Sequence, residues 1–334
     1  MVVGAGSEHT QLNGRQVMSA QAANGDIRIG TIVNNGMGAP SYIRQILSHG
    51  FESFSLFFWQ HTRQIEWERL AEELSDALSG TDAVISSMGT YGNPLEAGEL
   101  SEATRESLEA CIEHAHLFGC DLITTITGRV KGCAVPEGLA RFKEVWGPLS
   151  ERAAEKGLRI AFETWDGGGT WLSGDLSIAH NPEAWSMMFE ALPAENVGLE
   201  LCPGTMLLKL ISPVPLIREW GSRIFHLHGK DATVRWDVLQ RYGLSSLVDP
   251  KVASKGGFRA PPPFVFFRTP GFGDTNWTDL ISELRFAGFR GSIDIEGRND
   301  PIFKGDLEMS GQVASLRYLQ ECRAREYVPN PTVG

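Results

Sequence analysis

The stretch Lys156-Gly157-Leu158-Arg159-Ile160-Ala161-Phe162-Glu163 decides how this chain reads. Ahead of it, Leu139, Phe142, Val145, Leu149 and Ala153 recur at helical spacing, and a Gly just past such a run is a helix stop. Residues 158–162 then form a short apolar strand, and that strand ends in a carboxylate. The same unit repeats in both directions. Upstream, strands at 27–33, 54–58, 83–88 and 122–126 alternate with helical segments at 42–47, 67–78 and 104–118. Downstream, strands at 197–201, 224–227 and 292–295 alternate with helical segments at 182–192, 215–220, 277–287 and 313–322. Eight strand–helix alternations without a Pro/Gly/Ser-rich linker predict an α/β protein: a single (β/α)8 TIM barrel over residues 26–328.

Composition narrows the class. The 334 residues carry 30 Lys and Arg against 41 Asp and Glu, a formal charge of −11, with 42% hydrophobic and 21% charged residues. These values fit a globular chain with a large core and exclude disorder, collagen and coiled coil. The acidic balance argues against a nucleic-acid partner, whose phosphates need clustered Lys and Arg. Cys111, Cys120, Cys133, Cys202 and Cys322 are widely spaced without a Cys-x-x-Cys pair, which suits a reducing compartment. Neither a signal-peptide pattern nor a run of membrane-spanning length occurs, so a soluble, cytoplasmic protein is expected. Residues 1–25 have no period and read as a flexible tail. Gly4-Ala5-Gly6 lacks the preceding strand that a dinucleotide loop requires.

A barrel builds its chemistry at the C-terminal ends of its strands, so polar residues there carry the functional reading. Glu163 ends the strand at 158–162, Glu200 and Cys202 end the one at 197–201, and Glu296 ends the one at 292–295. His226, His228 and Lys230 lie in Ile224-Phe225-His226-Leu227-His228-Gly229-Lys230-Asp231. Strand side chains alternate, so Glu200 and Cys202 share one face, as do His226 and His228. Carboxylates, an imidazole and a thiolate converging from neighbouring strands make a site for one divalent metal ion. Carboxylate with imidazole suits Mn²⁺, Mg²⁺, Co²⁺ or Zn²⁺, and a thiolate shifts the preference toward Zn²⁺, Fe²⁺ or Co²⁺. Each residue alone has a plainer role, since a strand-end Glu is usually solvated and a lone Cys usually packs as a small hydrophobe.

Other features are read around that set. Trp59 emerges at the rim after an aromatic run, and Gly167-Gly168-Gly169 suggests a mobile loop over the site. Gly271-Phe272-Gly273-Asp274 reads as a tight loop rather than a phosphate cradle, because no Lys follows at P-loop spacing. No Gly-x-Ser-x-Gly elbow supports a serine hydrolase. Residues 232–263 break the rhythm after the seventh strand and are expected to form a lid or interface on the catalytic face.

The motifs Ile178-Ala179-His180-Asn181-Pro182-Glu183-Ala184-Trp185, Asn196-Val197-Gly198-Leu199-Glu200-Leu201-Cys202-Pro203 and Arg268-Thr269-Pro270-Gly271-Phe272-Gly273-Asp274 add a further indication. With Arg223–Asp231 and Ile293-Asp294-Ile295-Glu296, they resemble the sugar phosphate isomerase/epimerase family, the xylose-isomerase-like TIM barrels, over about 26–327. The resemblance implies one divalent metal, Mn²⁺ foremost, on Glu163, His228 and Glu296, with Glu163 and Glu296 also serving as catalytic acid and base. The family's Asp-Pro-Ser-His turn is here Cys202-Pro203-Gly204-Thr205, so the fourth ligand is Cys202 or, two residues earlier, Glu200. That turn also looks like one that supplies a cysteine ligand in mannonate dehydratases. His226, Lys230, Arg268 and Trp59 are expected to contact substrate.

The implied activity is isomerisation or epimerisation of a keto sugar through a metal-stabilised enediolate. The alternative is a lyase on the same barrel, cleaving 3-oxo-glycosides or dehydrating a sugar acid. A second alternative is a metal-free binding or assembly subunit. A relative that cuts DNA at abasic sites is disfavoured by the acidity and by missing metal ligands. The expected partners are a small sugar substrate and a second copy of the chain or a small partner subunit.

Overall fold

At residues 153–158 the helix stop is built as a Schellman turn. Gly157 has φ +71, its N–H donates to Ala154 O at 2.9 Å, and the Leu158 N–H reaches back to Ala153 O at 2.8 Å. Carbonyls that the helix end leaves open are bonded, and the chain passes straight into a strand. The protein is described from a computed structural model over residues 27–244, 264–324 and Pro331. The tail expected at 1–25 and the insertion from 245 to 263 lie outside these residues.

Seven parallel strands follow one another around a ring: β1 (Ile27–Val33), β2 (Ser53–Trp59), β3 (Val84–Tyr91), β4 (Leu122–Thr125), β5 (Arg159–Glu163), β6 (Val197–Leu201) and β7 (Ile224–Gly229). The chain then leaves the ring for an antiparallel pair, β8 (Asp231–Val234) and β9 (Val265–Arg268). Strand β10 (Gly291–Ile295) returns between β7 and β1 and closes the barrel. The eight-stranded α/β barrel is the fold anticipated from the alternation.

Helices cover the outside. Trp67–Leu78 and Pro182–Ala191 lie on segments anticipated from their periods, and Asn181 caps the second through Oδ1, which accepts from the Ala184 N–H at 2.9 Å. The apolar core sits between the helices and the outer face of the strands. Phe162 of β5, for example, packs edge-on against Trp146 and Phe142 of the helix Val135–Glu155, with centroids 4.6 and 5.7 Å away. Phe162 facing outward obliges its neighbour Glu163 to face the barrel interior.

That interior is polar. Ser53 donates to Asp294 Oδ1 at 2.6 Å, and Ser55 and Ser87 share a 2.7 Å hydrogen bond, where many barrels stack branched aliphatic side chains. A register shift places the histidines here. Leu199 pairs with Ile224 but Glu200 pairs with His226, so β7 carries one extra residue, Phe225. Without that bulge the next step would set Glu200 opposite Phe225, and His226 and His228 would face the helices. Gly198 makes the bulge fit, since a Cβ there would sit 2.6 Å from the Phe225 ring.

The described part of the segment expected to form a lid or interface is folded. It contains most of β8 and a helix, Trp236–Tyr242, and β8 pairs with β9 just beyond it. Four-residue strands and a seven-residue helix are too short to show a period in sequence. The buried Asp231 carboxylate anchors the unit, accepting from Ala232 N, Thr275 N and Trp277 Nε1 at 2.8–3.0 Å. The short helix Pro203–Leu208, starting at the Cys202 turn, was likewise hidden by its length.

Candidate metal centre

Four strand ends converge at the C-terminal mouth of the barrel. One ligand atom each from Glu163, Cys202, His228 and Glu296 lies within 4.8 Å of all the others. His228 Nδ1 is 3.3 Å from Glu163 Oε1 and 3.5 Å from Glu296 Oε2. The four side chains are nearly shut off from solvent. Even so, neither ring nitrogen of His228 nor Glu296 Oε2 has a well-directed hydrogen bond. Buried polar atoms in that condition are rare in native folds.

The turn that presents Cys202 is held tightly. The Cys202 N–H donates to Thr164 Oγ1 at 2.9 Å, and Thr205 Oγ1 donates to both Thr164 O and Cys202 O. Gly204 lies so close to the next strand that a Cβ would meet Asp231 O at 2.8 Å. Thr205, standing where the resembled family has a His, is thus consumed in fixing the turn.

Glu200 takes a different place from Cys202. It sits one step deeper, grouped with His226 and His228 rather than with the mouth carboxylates. Its Oε1 accepts from His226 Nδ1 at 2.8 Å and its Oε2 from Tyr91 Oη at 2.6 Å. His226 Nε2 in turn faces Asp294 Oδ2 at 2.7 Å. His228 Nε2 lies 3.0 Å from Glu200 Oε1, off the hydrogen-bond direction.

Electrostatics follow from this crowding. Burial pushes the Glu163 carboxyl up, against the opposing pull of His228. Burial also raises Glu200, but His228 and His226 outweigh it and hold that carboxyl at about 2. Burial lowers His226, and its bonds to Asp294 and Glu200 overcome this to bring it to about 9. Burial raises the Glu296 carboxyl too, yet Lys230, with Nζ 2.6 Å from Glu296 Oε1, keeps it below the usual range.

Residues 43–322 match the family described as xylose isomerase-like TIM barrel. This chain belongs to that family. Among curated proteins it is 25% identical over 252 residues to the uncharacterized protein YfiH of Bacillus subtilis (strain 168), covering 67% of this chain and 74% of YfiH. Among solved structures it resembles the 3-keto-D-glucoside 4-epimerase YcjR of E. coli, with TM-score 0.62, 13% identity, and coverage of 89% of this chain and 100% of that one. It also resembles the probable 3-DHS dehydratase AsbF of Bacillus anthracis, with TM-score 0.57, 15% identity, and coverage of 87% and 98%. At these identities the two structures establish a shared fold.

In this xylose isomerase-like barrel the four expected substrate contacts part company. Lys230 reaches the mouth, bound to Glu296 and lying 4.5 Å from the Phe267 ring centroid of β9. Trp59 stands at the rim, 42% exposed. His226 does not reach the mouth, because both ring nitrogens are engaged in the layer beneath. Arg268 is paired with a carboxylate, its Nε 3.1 Å from Asp300 Oδ2. The Gly167–Gly169 loop, expected to be mobile, is tied down by the buried Arg129, whose guanidinium donates to Thr170 O and Trp171 O. The Gly271–Asp274 segment is a tight loop, with Asp274 Oδ2 accepting from the Val234 N–H at 2.7 Å.

Tyr91, Asp294 and Arg298 belong to this region and were missed in the sequence. Asp294 was within reach, since alternation from Glu296 places it on the same interior face. Tyr91 lies three residues past the anticipated end of its strand at 88. No described helix is long and apolar enough to cross a membrane.

Proposed function

We propose that this protein is a divalent-metal-dependent isomerase or epimerase of a keto sugar or sugar derivative. The observation that carries the reading is the four-residue donor set at the mouth, with His228 Nδ1 and Glu296 Oε2 buried and without hydrogen bonds. Two carboxylates, one imidazole and one thiol fit a divalent transition metal, with Glu163, Cys202, His228 and Glu296 as its ligands. Cys202 is favoured over Glu200 because Glu200 is already bonded to His226 and Tyr91. When bound, the ion supplies Lewis acidity, drawing charge from the oxygens of a keto sugar and easing loss of a proton beside its carbonyl.

The remaining work falls to side chains. Glu163 and Glu296 enter from β5 and from the end of β10, either side of His228, and exchange a proton with the carbon adjoining the carbonyl. Lys230 holds Glu296 Oε1, which fixes that carboxylate and leaves Oε2 turned toward His228. Return of the proton to the other face gives epimerisation, and return to the neighbouring carbon gives isomerisation. A lyase outcome shares every group up to proton loss. The buried Lys230 ammonium beside Glu296 favours keeping it as the second reading, since an expelled oxygen needs a proton donor.

Two measurements test the proposal together. Elemental analysis of wild type, Cys202→Ala and Glu200→Ala is expected to find about one divalent ion per chain, lost with Cys202→Ala and retained with Glu200→Ala. Incubation with keto sugars in D2O is expected to place deuterium beside the carbonyl with wild type and not with Glu163→Gln. Epimer, isomer and dehydrated product differ in the NMR spectrum, so the same experiment separates the outcomes. Absence of metal after exposure to Mn²⁺, Co²⁺ and Zn²⁺ would overturn the reading in favour of a binding or assembly subunit.

A further inference from the structure

We infer that Arg298, with Phe57 and Trp59, forms a subsite at the barrel mouth for an anionic group on the sugar substrate, a carboxylate or a phosphate. The inference rests on the sugar reading above and names the charge of the substrate.

The cations anticipated from the sequence are already engaged, Lys230 with Glu296 and Arg268 with Asp300. Arg298 is not. It follows Glu296 by two residues and is half-buried; its charge helps hold the Glu296 carboxyl down, yet among the described residues its guanidinium forms no hydrogen bond or direct ion pair. What it does touch is aromatic: its guanidinium carbon lies 5.1 Å from the Phe57 ring centroid. Stacking on a ring holds the planar fork in place while leaving its N–H groups free in plane. A partly desolvated guanidinium in this state is suited to a planar, two-oxygen anion.

Phe57 is the centre of a larger platform. It stacks on Tyr91 at 4.2 Å and 26°, and on Trp59 at 6.3 Å and 13°. The near-parallel indole of Trp59, partly open to solvent, offers a flat apolar face to a sugar ring. Tyr91 ties the platform to the metal-proximal layer through its bond to Glu200.

The backbone gives an independent sign. Four described residues other than glycine have positive φ, and two of them directly follow the subsite residues: Gln60 at φ 65 after Trp59, and Asn299 at φ 68 after Arg298. Left-handed backbone costs free energy for Gln more than for Asn, and such strain concentrates at ligand clamps. Gln60 is held there by its N–H to Tyr91 O at 3.0 Å and by Thr104 Oγ1 to its own carbonyl at 2.9 Å.

Calorimetric titration with D-glucuronate, D-glucose 6-phosphate and neutral D-glucose tests the subsite. Wild type is expected to bind at least one anionic sugar more tightly than glucose, and which one identifies the group as carboxylate or phosphate. Arg298→Gln is expected to cut that affinity roughly 10- to 100-fold and leave glucose unchanged. Arg298→Lys should recover part of the loss, and Trp59→Ala should weaken all three sugars. A wild type without preference for either anion, or a preference that survives Arg298→Gln, overturns the inference. Metal content measured on the same preparations separates the two readings. Bound metal without anion preference removes only the subsite. An Arg298-dependent preference in a protein that takes up no metal removes only the metal chemistry.

Discussion

Two tiers of polar side chains fill the upper half of this barrel, and they differ in how completely they are bonded. In the lower tier, Ser53, Asp294, His226, Glu200 and Tyr91 form a continuous chain in which each link is a hydrogen bond of 2.6–2.8 Å. In the upper tier, Glu163, Cys202, His228 and Glu296 crowd within 4.8 Å, and His228 and Glu296 keep buried atoms without hydrogen bonds. Both tiers are built around carboxylates and a histidine. A closed network stabilises the fold by satisfying its own charges, whereas an open one retains donor atoms for something the chain does not itself supply. His228 joins the tiers, with Nε2 over Glu200 and Nδ1 toward the mouth.

The contrast fails most visibly if the lower tier can be cut without loss of stability. Asp294→Ala leaves the buried His226 with only one of its two carboxylates and Ser53 without this acceptor, and is expected to cost about 3–5 kcal/mol in chemical denaturation. In the upper tier the response should move from stability to metal. Cys202→Ala is expected to lower metal affinity by more than about 100-fold, beyond an outer-shell change, while costing roughly 1 kcal/mol of metal-free stability. Competition with a chelator and parallel denaturation would separate the two effects. Tyr91→Phe sharpens the comparison, because it deletes a single lower-tier hydrogen bond to a charged group. A loss of about 1.5–3 kcal/mol is expected, together with a metal affinity weakened through Glu200 and His228.

A separate test concerns His180, which lies outside both tiers. Burial pushes its imidazole down to about 4, and its Nε2 has no hydrogen-bond partner among the described residues. The folded state holds it neutral while the unfolded chain takes up a proton near pH 6.5, so the unfolded state binds more protons below that pH. Stability should therefore fall as the pH drops from about 6.5 toward 4, by at most about 1.4 kcal/mol per pH unit. His180→Asn should flatten that slope in a denaturation series. An unchanged slope would show that a lone buried imidazole here titrates as it does in water, which weakens the use of buried, unbonded atoms as markers.

Much of this was legible before any coordinates. The alternation of 3.6-residue and two-residue periods fixes a parallel barrel, and barrel geometry then directs attention to strand ends. Glu163, Glu200, Cys202, His226, His228 and Glu296 follow from that rule alone, because their side-chain types are unusual at such positions. Arg298 was not legible, since an Arg two residues past a strand has no periodic context, and the Phe57 ring it lies over comes from a strand far away in the chain. Nor was the pairing of Arg268 with Asp300 legible, since the two lie 32 residues apart in sequence.

The sequence by itself determined the barrel, its strand ends and the residue types gathered there, because those depend on local periodicity. Only the tertiary structure decided which of those residues meet. Glu200 and Cys202 share a face of one strand, yet they fall in different tiers because Cys202 lies past the strand end and Glu200 within it. His226 and His228 face inward because of a one-residue bulge against β6, a register set by pairing between strands. Whether a buried charge is closed or open depends on partners brought from distant parts of the chain, and no local pattern in the sequence carries that information.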